Sequence, residues 1–287
     1  MISVIIPTLN AENEIEALIR MLKNQSVKPD EIIVVDSESD DDTLDIVKKF
    51  EEVKIIPIKR KDFDHGGTRD MALRKSKGDF VLFLTQDALP LDENYIAGII
   101  KPFKDEKVAV VSGKQVARAD ATIMEKCVRE FNYPDESNVR TKDDIKRLGI
   151  KTFFCSDVCS AYNKSIYLKL GGFEHPLKTN EDMFFAASAI NAGFKVCYAA
   201  DAKVIHSHNL TLKEQYQRNY IQGIEIEKHK ELLNGVSANA EGMKMVKSVS
   251  KKLLKGGHFL SFIHFGFDCV ARLNGSKKGR KEASKIK

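Results

Sequence analysis

Several features are missing from this chain, and each absence narrows what it can be. No apolar run reaches the roughly 18–20 residues that cross a bilayer as a helix. Met1–Pro7 is apolar, but no basic segment precedes it and it is too short for a secretion signal, so it reads as a first strand. The five cysteines (127, 155, 159, 197 and 269) are an odd number, and Cys155 and Cys159 lack the companion ligands of a zinc site. They are read as reduced thiols of a cytoplasmic protein. The first strand leads into Pro7-Thr8-Leu9-Asn10 instead of a Gly-x-Gly-x-x-Gly turn, which argues against a dinucleotide oxidoreductase. No internal repeat is present.

What is present is enough for one good core with a smaller appendage: 287 residues, 43% hydrophobic and 30% charged. Charge is unevenly spread. Residues 243–287 hold twelve Lys or Arg against Asp268 and Glu282, while the whole chain carries only +5. The first 242 residues are therefore net acidic, and the basic character belongs to the tail.

The first half alternates strand and helix. Strands are expected at 3–6, 32–35, 53–58, 80–84 and 108–112, with helices at 12–24, 41–50, 67–75 and 94–103. This rhythm implies an α/β fold with a mostly parallel sheet, right-handed crossovers and helices on both faces. After Gly113 it breaks. A helix is expected at 119–131, a loop at 132–142, strand material at 152–162 and a helical turn at 164–170 closed by Gly171 and Gly172. A helix at 181–192, two short strands at 194–199 and 203–206, and one long helix at 212–233 follow. An apolar, aromatic-rich stretch at 253–273 lies inside the basic tail.

Polar residues collect where apolar strands end. Asp87 follows the run Phe80–Leu84 through Thr85 and Gln86; Thr8 follows the first strand; Asp36 ends the second. Open α/β sheets bind ligands at the carboxyl ends of their strands. Asp40 fits a cap for the 41–50 helix better than Asp36 does, and Asp40, Asp41 and Asp42 read as a solvated cap.

The order of Val4–Asn10, Ile32–Thr43, the strand before Asp87, and Asn180-Glu181-Asp182 resembles family 2 glycosyltransferases of GT-A fold. The match covers residues 1 to about 235, leaving 236–287 as a basic, aromatic-rich helical extension. Phe63–Arg69 together with Thr85–Ala88 is similar to bacterial rhamnosyltransferases that use dTDP-L-rhamnose. The resemblance implies an inverting transfer of sugar, with L-rhamnose preferred, onto a growing, lipid-linked cell-surface polysaccharide. UDP-hexose or UDP-N-acetylhexosamine transfer is the alternative within the family. A nucleotide-binding protein without transferase activity is the alternative outside it.

By the same resemblance, Asp36 and Thr8 meet the nucleotide, and Asp87 holds a divalent Mn²⁺ or Mg²⁺ that neutralises the departing diphosphate. The family's usual Asp-x-Asp is Thr85-x-Asp87 here, so the first acid is absent. Thr85 and Gln86 are placed with the donor. His206 is favoured over His208 as a late metal ligand. Asp182 is implied as the base, with Glu181 orienting the acceptor or the base. Arg69, next to flexible glycines, is assigned to the donor diphosphate and His65 to the sugar. The apolar stretch with basic flanks suits an anionic membrane surface at the inner face of the cell membrane better than nucleic acid. A helix packed on the protein, or a homodimer contact, is the alternative.

Overall fold

The structure is a computed structural model that describes residues 1–236 and 239–285. Nine strands form one sheet: β1 (Ile2–Thr8), β2 (Glu31–Asp36), β3 (Val53–Pro57), β4 (Phe80–Leu84), β5 (Leu89–Pro90), β6 (Val108–Val116), β7 (Asn138–Arg140), β8 (Cys159–Asn163) and β9 (Lys195–Ile205). Their order is β3-β2-β1-β4-β8-β6-β9-β5, with β7 paired to β9. β1, β2, β3 and β4 are mutually parallel, and β6 runs parallel to β9. β8 is antiparallel to both β4 and β6 and joins the two parallel sets.

The central strands are apolar in consecutive residues because both faces are covered. From β1, Val4 and Ile6 pack with α1 (Ile15–Lys23), α2 (Thr43–Val47) and α4 (Tyr95–Ile100). From the same strand, Ile5 packs on the opposite face, with α3 (His65–Lys75), α7 (Lys164–Lys169) and α8 (Glu181–Asn191). Helix α1 follows from its spacing: Ile15, Leu18, Ile19 and Leu22 are all fully buried. The expected α/β sheet with helices on both faces is what the chain forms.

Several expected elements differ. The 41–50 helix shortens to Thr43–Val47; its N-cap, Asp42, makes no side-chain cap bond, and Asp41 just before it accepts from the Thr43 N–H at 3.0 Å. The 132–142 loop contains β7, which has no apolar signal of its own and exists by pairing with β9. The two strands expected at 194–199 and 203–206 are one strand. A register shift opposite Gly113 and Lys114 accommodates the intervening residues. Gly113 permits this, because a Cβ there would lie 2.6 Å from the Ala202 carbonyl oxygen. The expected 212–233 helix ends at Lys228.

The remaining helices build onto this sheet: α5 (Ile123–Asn132), α6 (Ile145–Leu148), α9 (Leu212–Lys228), α10 (Asn239–Lys255) and α11 (Phe259–Ala283). The apolar stretch at 253–273 is not one element, since Gly256–His258 separates α10 from α11. Val249, Leu253 and Phe265 from these two helices bury against Met124, Cys127 and Val128 of α5. α11 lies directly on α9. A Cβ on Gly279 would collide with the Tyr220 carbonyl oxygen, and one on Gly275 with that of Tyr216. Among the described residues, no helix is long and apolar enough to cross a membrane.

Candidate active site

The ends of β1 and β2 are clasped by side chains. Asp36 is 1% exposed; its carboxylate accepts from the Thr8 hydroxyl at 3.0 Å and from the N–H and hydroxyl of Ser39 at 3.0 and 2.6 Å. Gln86 grips the same edge, accepting from Leu9 N–H at 2.9 Å and donating to Leu9 C=O at 3.1 Å. Asn10 and Glu38 sit at φ 53° and 56°, a left-handed conformation uncommon outside glycine. Both lie just past a strand end, where the chain must turn sharply away from the sheet.

Beyond β4, Asp87 meets two imidazoles. Its Oδ2 lies 3.3 Å from His206 Nε2 and 3.5 Å from His208 Nε2, and the three ligand atoms lie within 4.8 Å of one another. Sequence reasoning favoured His206 alone; the structure brings both histidines to Asp87. Burial works against the charge on Asp87, but the hydrogen bond and charge of His206, with His208 behind them, hold its carboxyl well below the usual range. Burial and then the neighbouring His206 pull His208 down, which favours the neutral imidazole a metal needs.

Gln115 sets the proton on His206. Its Oε1 accepts from Arg129, and its Nε2 donates to Ser156 Oγ at 2.9 Å. A guanidinium only donates, so the amide oxygen must face it. His206 Nδ1 lies 3.0 Å from that same oxygen and is therefore the protonated nitrogen. Nε2 is left facing Asp87, as the nitrogen that a metal would take in place of a proton. An outer partner that fixes a histidine in this way is what a metal ligand requires.

A second cluster lies behind this one. Arg69 has a side chain only 6% exposed, and its Nη1 is 3.2 Å from Glu181 while its Nε is 3.7 Å from Asp157. Asp182 Oδ2 accepts from the Asp157 N–H at 3.1 Å. Asp157 also accepts from Ser160 and Tyr162, at 2.6 and 2.7 Å. Two carboxyls, Glu181 and Asp157, thus share one guanidinium, with Asp182 beside them. Burial, eased by Arg69 but reinforced by Glu181, pushes Asp157 up to about 6. Loss of solvent, then Glu181 and Asp157, push Asp182 well above the carboxylate range. Asn180, at φ 68°, turns the chain into α8 and presents Glu181 and Asp182 in its first turn.

A cleft of about 630 Å³ runs past the strand ends and Asp87 and meets the second cluster at Arg69; His206, Asp157, Glu181 and Asp182 do not line it. Thr8 and Ser37 line one end, and Asp87 and His208 the other; His65, Arg69, Thr85 and Gln86 also line it. His65 is pulled down to about 4 by burial first and the Arg69 charge second, so it faces the cleft as a neutral ring at pH 7. Thr85 carries a buried hydroxyl with no partner among the described residues. Asp36 does not line the cleft; it shapes that end through Thr8 and Ser39. Arg69 reaches the cleft while already engaged by two acids. Sequence reasoning missed Asp157 and Gln115. Gln115 lies in the part of β6 that runs past the expected end at Ser112. Asp157 carried a signal that went unused, an acid inside an otherwise strand-like apolar stretch.

The chain as a whole is similar to known proteins. The chain is 40% identical over 260 residues to the O-antigen chain rhamnosyltransferase RfbN of Salmonella typhimurium, covering 90% of this chain and 83% of the relative. It is 26% identical over 238 residues to the UDP-Glc:alpha-D-GlcNAc-diphosphoundecaprenol beta-1,3-glucosyltransferase WfaP of Escherichia coli, covering 81% and 83%. Among solved structures, the mannosyltransferase PcManGT from Pyrobaculum calidifontis, in complex with GDP-Man and Mn²⁺, superposes with a TM-score of 0.66. That match covers 97% of this chain and 86% of PcManGT at 18% identity, which is a likeness of fold. The Glycosyl transferase family 2 profile matches residues 3–171, and with the 40% identity to RfbN this places the chain in glycosyl transferase family 2.

Proposed function

We propose that this glycosyltransferase moves L-rhamnose from dTDP-L-rhamnose onto a hydroxyl of a surface polysaccharide under assembly, with inversion at the anomeric carbon. The observation that carries the sugar is the 40% identity to RfbN across 90% of the chain. WfaP is named for an acceptor carried on a lipid diphosphate, and we place the acceptor here in the same class.

In this reading the nucleotide lies at the Thr8–Asp36 end of the cleft, with Thr85 and Gln86 beside it. The sugar lies toward His65, and the diphosphate toward Asp87. Asp182 takes the proton of the acceptor hydroxyl as its oxygen attacks the anomeric carbon. The bond from that carbon to the diphosphate oxygen breaks, and the nucleoside diphosphate leaves. Glu181 and Arg69 fix the charge around the base, and Glu181 helps to keep its pKa high. One carboxylate and two imidazoles suit a divalent transition ion, Mn²⁺ above Mg²⁺. Asp87, His206 and His208 would hold such an ion, which would supply positive charge against the departing diphosphate. The basic tail and the apolar outer face of α11 would hold the enzyme at the inner surface of the cell membrane.

The test is a donor panel of dTDP-, UDP- and GDP-sugars, each with Mn²⁺, Mg²⁺ or chelator, scored for transfer and slow donor hydrolysis. Turnover of dTDP-L-rhamnose that chelator abolishes is expected. Preference for a UDP-hexose would replace the donor. Turnover of no donor would leave a nucleotide-binding protein.

A further inference from the structure

A second cavity, of about 190 Å³, opens beside the candidate active site, and His208 lines both it and the donor cleft. Its walls come from α5, α9 and α11, which contribute Arg129, Arg218 and Arg272. Two of these guanidiniums have acids: Arg129 pairs with Glu125, and Arg272 with Asp268. Arg218 makes no hydrogen bond or ion pair among the described residues. Solvent reaches it in the recess. Arg129 and Arg272 crowd it with like charge. The amides of Gln215 and Asn219 and the ring of Tyr133 complete a lining suited to sugar hydroxyls and a sugar face.

We propose that this cavity seats the diphosphate-bearing end of the acceptor, with Arg218 as the free cation that binds it. The inference rests on the glycosyltransferase reading above and adds where the acceptor is held. Two observations favour it. The unpaired guanidinium lacks an anion, and planar guanidinium forks match phosphate oxygens. The cavity adjoins the donor cleft at His208, so an acceptor held here lies next to the donor. α11 supplies Arg272 to the cavity, while Phe259, Leu260, Ile263 and Phe267 are exposed on its outer side, roughly 120–180° around the helix axis from Arg272. The C-terminal extension would then be part of the substrate site as well as an anchor.

The probe is farnesyl diphosphate, titrated calorimetrically into the full-length protein with dTDP, UDP and Mn²⁺ at saturation so that the donor cleft is blocked. Farnesol and inorganic pyrophosphate are run alongside to separate the lipid and anion contributions. The parent should bind farnesyl diphosphate more tightly than either. Arg218→Ala should weaken it by about ten-fold or more, as for loss of a hydrogen bond to a charged group, while Arg218→Lys restores part and dTDP affinity does not move. Because Arg218 has no partner to orphan, its removal breaks no internal bond; a matched urea melt confirms the fold. Equal affinity of parent and Arg218→Ala, or equal loss of dTDP and farnesyl diphosphate binding, overturns the proposal, the latter by giving the cavity to the donor. If the donor panel shows no transfer, the functional reading fails, and this titration still decides whether the cavity binds a lipid diphosphate.

Discussion

His206 Nδ1 stands 3.0 Å from Gln115 Oε1, an oxygen already fixed in place by the Arg129 guanidinium. One amide thereby chooses the tautomer of a candidate metal ligand and ties it to the arginine-lined cavity. Replacing Gln115 by Leu keeps the approximate volume but removes this control. Mn²⁺ affinity should fall roughly 10–100-fold, as for other outer-sphere partners of metal-bound histidines. Titration followed by the electron paramagnetic resonance of free Mn²⁺ measures it. An unchanged affinity would mean that His206 is oriented by something else or does not bind the ion.

Among the described residues, Asp182 accepts only backbone N–H groups, those of Asp157 and Met183. Asp182→Asn removes the proton acceptor and little else. Transfer should drop by roughly 10²–10⁴-fold with donor affinity retained. Near-normal turnover would remove Asp182 from the mechanism.

The raised pKa of Asp182 has a kinetic sign. A base works only when deprotonated, so transfer should fall as pH drops through a value above the usual ~4 of a carboxyl. The profile of kcat/KM against pH gives the position of that limb. If the residual activity of Asp182→Asn keeps the same limb, the limb belongs to another group.

Asp157 makes the corresponding prediction for stability. Its folded pKa of about 6 lies above the unfolded value of roughly 3.9, so the folded state binds the extra proton between them. Its contribution is fully present below the lower value and is lost as pH rises through about 6. Urea melts across pH 4 to 7 should show a smaller loss in Asp157→Asn than in the parent, because Asp182, also raised, keeps its own share. Parallel curves would place the proton on a different member of the cluster.

Removing the tail is a poor test of membrane binding, because α10 and α11 cover α5 and α9 and Arg272 lines a cavity. The outer face is better probed where it stands free. Leu260 is 84% exposed, Ile263 56% and Phe267 60%. Changing all three to Ser should leave the fold intact. It should abolish the salt-resistant part of sedimentation with anionic vesicles, while an electrostatic part, roughly 1 kcal/mol per well-placed cation, survives at low salt. Equal sedimentation of parent and variant at high salt would show that this face does not insert.

Local sequence determined the strands of the first half and the places where they stop. Phe80–Leu84 is apolar without interruption because its strand is covered on both faces, and the acid after it must sit at the sheet's carboxyl edge. Thr8, Asp36, Asp87 and Asp182 were legible for that reason: each lies within a few residues of a strand end or helix start that its neighbours define. What the tertiary structure alone decided is non-local. β7 exists only against β9, and β9 stays whole only because Gly113 lets Ala202 approach. Gln115 meets a histidine 91 positions later, and Arg129, Arg218 and Arg272 converge from three helices. Such encounters depend on pairing order and helix crossing, which no window of neighbouring residues contains. The basic tail shows both sides: its composition gives the charge and the apolar content, but the packing of Gly275 and Gly279 on α9 decides which face is left to the solvent.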